Sequence, residues 1–306
     1  MIITAQNHRA NYYVYDAIDP KQFEACFMKW IQHLAKDITG KVVAIDGKTL
    51  RSSYDREDRT STIHMVSAYA AANKLVLGQI KTDAKSNEIT AIPELLALLD
   101  IKGCLVSIDA MGCQTEIAET ILQQGGDYLL AVKGNQPKLF EAVRQALAPL
   151  AATPLCAETM TLEKAHGRID GREYHVMAAG ELAAQFPHWK QLHSIGVAIS
   201  YRVENMQKIT IEQRYFISSK ALVQDEFARA VRGHWAIENS LHWVLDVTMG
   251  EDDCPIYRGD AAEILACIRH MGLNMLRAET SRKASVRRKQ KIAGMSSEYL
   301  ETVLNA

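Results

Sequence analysis

The chain has 306 residues, 48% of them hydrophobic, and a formal net charge of −1 at pH 7, which is typical of a globular protein with one large or two ordinary domains. The near-zero net charge excludes a global field that would attract a charged partner, so any basic surface is expected to be local. No C-x-x-C pair and no apolar run of membrane-spanning length is present, which disfavours a zinc ribbon and a membrane span and predicts reduced thiols in the cytoplasm.

The first half of the chain predicts a mixed α/β sheet. Apolar residues recur at helical spacing over residues 20–35. Three strand-like segments follow between residues 41 and 82, with a hairpin turn expected at Asn73. Helices and buried strands then alternate over residues 86–150, with Ser86 as a candidate N-cap. An antiparallel trio followed by alternating helices and strands fits a mixed sheet flanked by helices.

The amino-acid composition changes at about residue 151. Residues 151–222 are rich in β-branched and aromatic residues with turn signals, so a mainly β insertion is expected there. Helical periodicity returns after residue 222. The predicted division is therefore an N-terminal helical segment, the first part of a core, the β-rich insertion and a final helical part, at residues 1–40, 41–150, 151–222 and 223–306.

The stretch VVAIDGKTL, residues 42–50, predicts a buried strand that ends in Asp46 and a tight turn. Three chemistries use such a junction. A nucleotide-binding P-loop requires a glycine where this chain has Val42. A phosphatase of the haloacid-dehalogenase type requires a nucleophilic Asp where this chain has Ala44. A metal-dependent nuclease requires only Asp46 together with further acids, and this third interpretation is favoured.

A second acid, Asp109, also follows an apolar run that ends in isoleucine. Two-metal phosphoryl chemistry holds two divalent ions about 4 Å apart, and magnesium requires several converging oxygen ligands. Strand ends on adjacent strands would bring Asp46 and Asp109 together. The alternative is that each Asp only caps the turn that follows it.

The third acid is Glu238, expected inside the apolar stripe of a helix, where an unpaired carboxylate is costly. A bound cation would offset that cost. His234 and His242 lie four residues on either side, so a zinc site with these histidines is one alternative. A structural ion pair with Arg232 is another.

Five motifs in order resemble a DDE-type insertion-sequence transposase, in particular the H-repeat-associated branch linked to Rhs elements. They are IDGKTLR, GQIKTDAKSNEITAIPELL, DAMGCQ, GGDYLLAVKGNQ and RGHWAIENSLHWVLDVTMGEDD. The resemblance implies a ribonuclease-H-like sheet interrupted by a β insertion before the last catalytic helix. It also implies DNA strand cleavage and strand transfer with Mg²⁺ or Mn²⁺, and a catalytic, metal-binding triad of Asp46, Asp109 and Glu238.

Two departures from the wider class accompany this resemblance. Val231, His234 and Leu245 stand where related transposases carry Tyr, Arg and Lys. Family members also carry a further helical region before the segment that begins near residue 19, so a truncated transposase is expected. Two alternatives follow, a remnant that binds DNA without cutting it and a metal-dependent nuclease without strand transfer.

The expected partner is double-stranded DNA, at the element ends and at the target, in the cytoplasm at the nucleoid. A homodimer on DNA is left open, and no membrane is expected. For each basic residue the alternative is a solvated side chain, and for Trp235 it is core packing. The predicted DNA contacts are Lys48, Arg51, Lys85, Lys133, Asn135, His234, Trp235, Arg287, Arg288 and Lys289.

Overall fold

A computed structural model describes residues 14–15, 17–35, 38–58, 61–82, 88–151, 161–165, 168–204 and 208–306. The chain divides into two compact units. The first contains the described residues within Met1–Ile38, Ile45–Leu99 and Ala236–Ala306, and the second those within Thr39–Ala44 and Asp100–Trp235. The predicted candidates Ser86 and Lys85 lie outside the described residues.

Ten α-helices and one π-helix are formed by the described residues. The α-helices are α1 (Pro20–Leu34), α2 (Glu88–Leu98), α3 (Thr115–Gln123), α4 (Pro137–Ala151), α5 (Glu181–Gln185), α6 (Gln224–Ala236), α7 (Trp243–Val247), α8 (Ala261–Ala278), α9 (Val286–Met295) and α10 (Ser297–Leu304). The π-helix, Ile237–His242, lies between α6 and α7. No helix in these described ranges is long and apolar enough to cross a membrane.

Nine strands are formed by the same described part of the chain. They are β1 (Val42–Leu50), β2 (Ile63–Ala70), β3 (Leu75–Thr82), β4 (Leu105–Ile108), β5 (Asp127–Val132), β6 (Thr161–Ala165), β7 (Arg168–Ala178), β8 (Ser194–Glu204) and β9 (Lys208–Ser218).

The first unit contains the strand order β3-β2-β1. β2 and β3 form the predicted antiparallel hairpin, in which Ser67 faces Gln79. Its turn places Lys74 at φ 55°, so the hairpin expected at this position is confirmed. Helix α8 lies against β3, where the buried Asn274 side chain replaces a strand partner. Its Oδ1 accepts the N–H of Val76 and its Nδ2 donates to the Val76 carbonyl, both at 2.9 Å.

The second unit contains the order β1-β4-β5-β9-β8-β7-β6, so β1 belongs to both orders. β4 and β5 are parallel, whereas β5–β9, β9–β8, β8–β7 and β7–β6 are antiparallel. The β-rich segment therefore continues the sheet by pairing β9 with β5. A ribonuclease-H-like mixed sheet with a mainly β insertion before the last catalytic helix was predicted, and this fold class is confirmed.

Helix α6 packs on the insertion strands through one aromatic cluster. The fully buried Phe227 makes edge contacts with Phe216 and Tyr174, at centroid distances of 5.6 and 6.3 Å. A Cβ at Gly196 would lie 2.6 Å from the Phe227 ring, so only glycine permits this close approach. The packing fixes the helix that leads into the segment with Glu238.

The C-terminal helices are held to α8 by a buried ionic cluster. Lys289 is 7% exposed, and its Nζ donates to the Leu276 carbonyl at 3.1 Å and lies 3.2 Å from Glu279 Oε2. The Tyr299 hydroxyl donates to the same carboxylate at 2.5 Å. Hydrogen bonds from Ser281 and Tyr299, with the Lys289 ion pair, lower the pKa of Glu279 to about 2. Lys289 therefore has an internal role instead of the predicted contact with DNA phosphate.

Candidate active site

Strand β1 carries Asp46 in its middle. Residues 43–45 are fully buried, while the Asp46 side chain remains 19% exposed. The predicted tight turn after Asp46 is wrong, because the strand continues to Leu50 and the chain turns only where the Ser53 N–H donates to the Leu50 carbonyl. The strand stays extended because Lys48 pairs with acids and Leu50 packs in a buried apolar cluster.

Gly47 is required by a neighbouring carboxylate. A Cβ at this position would lie 2.1 Å from Oε1 of Glu88, in the first turn of α2. The glycine therefore allows the Glu88 carboxyl group to approach the backbone directly after Asp46. Glu88 was not predicted from the sequence, because its motif KSNEIT lies far from β1 along the chain and no local pattern pairs the two.

The helix that carries Glu238 is not a uniform α-helix. Ile237 and Leu241 are buried in the π-helix, while Glu238 itself is exposed. The prediction that Glu238 lies inside the apolar stripe is therefore wrong. A π turn contains more residues than an α turn, so it changes which residues face the core relative to an α-helical pattern. Arg232, the ion-pair partner considered for Glu238, lies with Nη2 3.5 Å from Glu163 Oε1.

The helix and β1 meet in a regular register. His242 Nδ1 lies 3.5 Å from Asp46 Oδ2, and Lys48 Nζ contacts Asp246 Oδ1. Asp46 and Lys48 share one face of the strand, about 6.6 Å apart, and four residues of an α-helix rise about 6 Å. Two successive residues on that face are thus matched by two residues one helical turn apart. Glu238 lies four residues before His242 on the same segment.

Lys48 is surrounded by acids. In addition to Asp246, its Nζ lies 2.7 Å from Glu251 Oε2 and 3.3 Å from Asp252 Oδ1. The Lys48 side chain is only 11% exposed and that of Glu251 only 2%. Burial lowers the pKa of Lys48, but Glu251 and Asp246 outweigh it, so the pKa is raised overall. The ammonium therefore stays charged and compensates three carboxylates.

Asp109, in the second unit, directly follows β4. Its Oδ1 accepts the N–H groups of Met111 at 3.0 Å and Gly112 at 3.3 Å, so the carboxylate does cap the turn that follows. Asn135 Nδ2 donates to the Ala110 carbonyl at 2.5 Å. The exposed loop after β5 thus fixes the loop after Asp109, and Asn135 has a positioning contact where the sequence predicted a DNA contact.

The donor chemistry of the three acids fits magnesium, which prefers carboxylate oxygens. Asp46 and Glu238 belong to the first unit, and Asp109 belongs to the second. Within the part of the chain that the structure describes, no three His, Cys, Asp or Glu side chains lie close enough together to hold a metal ion. The described residues therefore also form no zinc site from Glu238, His234 and His242. Joint ligation by the three acids stays a prediction.

Comparison with known protein families decides the class of this molecule. The family described as "Transposase DDE domain" matches residues 38–275, which is most of the chain. The chain belongs to the DDE transposase family. The matched range contains Asp46, Asp109 and Glu238, so all three predicted acids lie inside the DDE domain of this transposase family member.

Relatives of this DDE transposase include two from Escherichia coli (strain K12). "Putative protein YbfL" is 47% identical over 297 residues, covering 95% of this chain and 78% of the relative. "H repeat-associated putative transposase YhhI" is 46% identical with the same coverage, so the predicted resemblance is confirmed. A solved piggyBac transposase synaptic complex with hairpin DNA gives a TM-score of 0.46 at 11% identity, covering 88% of this chain and 55% of the other.

The predicted DNA contacts separate by exposure. Three have largely buried side chains: Lys48, His234 and Lys289. Lys48 and Lys289 pair with carboxylates of the protein where a DNA phosphate was predicted. Four are exposed and can reach a phosphate: Arg51, Lys133, Arg287 and Arg288.

Trp235 is half-buried, and two guanidinium groups lie near its ring. Arg214 lies 4.7 Å and Arg172 5.6 Å from its ring centroid. The ring lines an open cavity of about 260 Å³ on the insertion strands, together with Arg202 and Tyr201. The Trp235 ring is therefore neither fully packed in the core nor fully exposed for stacking on a base. Its predicted role in DNA binding stays a prediction.

Replacing Lys48 with methionine tests the ionic cluster. We expect the free energy of unfolding to fall by about 3–5 kcal/mol at pH 7, because the buried Glu251 loses its cation. The loss should shrink as the pH falls through the acid range, because burial raises the pKa of Asp246, so this carboxylate is protonated early and no longer needs the ammonium. Urea unfolding at pH 7 and pH 4 measures both effects.

Arg51→Met is the matched control, since this side chain is 82% exposed although its Nε lies 3.4 Å from Asp252. We expect a change of less than about 0.5 kcal/mol. A Lys48→Met variant as stable as the wild-type chain at pH 7 would contradict the structural role of Lys48.

Proposed function

We propose that this chain is the transposase of an insertion sequence, which cuts DNA at the element ends and joins them to target DNA. In this proposal Asp46, Asp109 and Glu238 bind Mg²⁺ or Mn²⁺. The observation that carries it is the transposase DDE domain match over residues 38–275, which contains all three acids. The name of the relative YhhI, an H repeat-associated transposase, agrees with this assignment.

A divalent ion bound by these acids would neutralise charge at the scissile phosphate and activate the attacking oxygen. The protein's own contribution is to position the carboxylates. Asp46 is held in the middle of a buried strand, with His242 against one of its oxygens. Asp109 is held by two main-chain N–H groups and by the Asn135 contact to the next residue. Such outer contacts orient ligands before an ion binds.

Strand transfer requires no further cofactor. Cleavage leaves a 3′-hydroxyl, whose oxygen attacks a target phosphodiester. One P–O bond forms as the P–O3′ bond of the target strand breaks; the attacking hydroxyl gives its proton to solvent, and the leaving 3′-oxygen takes a proton up. No covalent bond to the protein is formed, so no nucleophilic side chain has to be found near the three acids.

The proposed DNA contacts are the exposed basic residues, and Arg287 and Arg288 in the first turn of α9 are the clearest pair. Their charges are available to phosphate, whereas Lys289 beside them is used internally. Because the substrate is DNA, we place the activity in the cytoplasm at the nucleoid. A homodimer on a pair of element ends stays a prediction.

Conservative replacement of each acid tests the triad. Asp46→Asn, Asp109→Asn and Glu238→Gln each remove a ligand charge while keeping the shape of the side chain. We expect the rate of Mg²⁺-dependent cleavage of element-end DNA to fall by at least about 10³-fold, with DNA binding retained. Single-turnover cleavage of labelled DNA that flanks the coding region measures the rate.

Asp100→Asn is the matched control, because this exposed carboxylate also accepts a main-chain N–H, from Lys102 at 3.3 Å. It should cut at the wild-type rate. Retained cutting in any triad variant would remove that acid from the site. A wild-type chain that binds without cutting would favour the DNA-binding remnant, and nicking without joined products would favour a nuclease that lacks strand transfer.

The basic surface of α9 is tested by salt dependence. Each phosphate contact contributes about 0.9 to the slope of log K against log salt concentration, so Arg287→Gln with Arg288→Gln should make that slope shallower by about 2. Fluorescence anisotropy with duplex DNA between 50 and 200 mM salt, in steps of about 30 mM, measures it. The control pair Lys21→Gln and Lys29→Gln, both exposed on α1, should leave the slope unchanged. Equal slopes for both pairs would exclude α9 as a DNA surface.

A further inference from the structure

The π-helix that carries Glu238 has a dedicated partner. Ser240 lies in the middle of this turn, two residues after Glu238 and two before His242. Its main-chain carbonyl accepts a hydrogen bond from Nη2 of Arg277, which comes from the last turn of α8. A π turn disturbs the regular hydrogen bonding of an α-helix, so a side-chain donor to one of its carbonyls stabilises an otherwise unfavourable segment.

Arg277 is itself held by the hairpin of the first unit. Its Nη1 donates to the carbonyl of Lys74, the turn residue at φ 55°, at 2.7 Å. Its guanidinium lies 5.6 Å from the ring centroid of Tyr69 in β2. Burial lowers the pKa of Arg277, but an arginine side chain remains charged in proteins.

The helix that carries Arg277 is rigidly placed. One turn earlier on α8, the fully buried Asn274 makes both of its hydrogen bonds with Val76 in β3. Arg277 therefore joins the π turn to a helix and a hairpin whose positions are independently fixed. Since the guanidinium has donors in a rigid plane, it can hold Ser240 and Lys74 at the same time.

We propose that Arg277 is a positioning residue of the DDE site, which fixes the π turn through the Ser240 carbonyl. The conformation of the π turn sets the direction in which the Glu238 side chain leaves the helix. The same segment carries His242, which contacts Asp46. This inference rests on the proposed function, in which Glu238 is a metal ligand. The hydrogen bonds of Arg277 to the Ser240 and Lys74 carbonyls give this basic residue an internal role.

Three variants test this role. Arg277→Met keeps the length of the side chain and removes every donor, Arg277→Lys keeps the charge and part of the donor capacity, and Arg269→Met removes the same charge elsewhere on α8 as a control. The first readout is hydrogen exchange of the amides in residues 237–247. The second is the Mg²⁺ concentration for half-maximal single-turnover cleavage, measured with DNA affinity and thermal unfolding.

We expect Arg277→Met to exchange faster in residues 237–247 and to need about 10-fold more Mg²⁺, with DNA affinity unchanged. Arg277→Lys should lie between Arg277→Met and the wild-type chain, and Arg269→Met should match the wild type. A merely structural residue would lower thermal stability without changing the Mg²⁺ requirement. Wild-type exchange or a wild-type Mg²⁺ requirement in Arg277→Met would overturn the inference.

The two proposals fail in different ways. A wild-type chain that cuts DNA while Arg277→Met keeps its Mg²⁺ requirement refutes only the role of Arg277. A wild-type chain that does not cut refutes the proposed function. In that case faster exchange in Arg277→Met would still support its hold on the π turn, and unchanged exchange would refute it.

Discussion

The register between β1 and the helical segment from His242, at the end of the π-helix, to Asp246 in α7 is the constraint on which the candidate site depends. Asp46 meets His242 and Lys48 meets Asp246, so strand and helix run side by side for one helical turn. The match works because two strand residues and four helix residues cover nearly the same distance. A slip of one residue on the strand would turn Asp46 away from the helix. The place of Glu238 therefore follows from contacts made by its neighbours.

Electrostatics sets the second condition. Around β1 the first unit collects Asp46, the Glu88 carboxyl group against Gly47, and the buried Glu251. Carboxylates brought together out of water repel one another and lose hydration, and each needs a cation or hydrogen-bond donors. Lys48 supplies that cation for the acids beyond β1. In the proposed function, a divalent ion would supply a further cation at Asp46, Asp109 and Glu238.

Local patterns in the sequence were sufficient for the hairpin at Asn73, the alternating helices and strands, and the β-rich insertion, because alternation and turn residues act over a few positions. They failed where partners are distant. β1 continues past Asp46 because Lys48 finds Asp246, 198 residues later. The predicted burial of Glu238 assumed a regular α-helix, and the π turn changes which residues of that segment face the core. A charge count could not show that Lys289 points inward, since that depends on Glu279 and Tyr299.

The central claim is that three acids, distant in the sequence, bind divalent ions together when DNA is present. Diffraction from crystals of the DNA complex grown with Mn²⁺, recorded at the manganese absorption edge, tests it most directly. We predict anomalous peaks within about 2.2 Å of carboxylate oxygens from Asp46, Asp109 and Glu238. Manganese held by other residues, with Glu238 remaining in solvent, would contradict the claim.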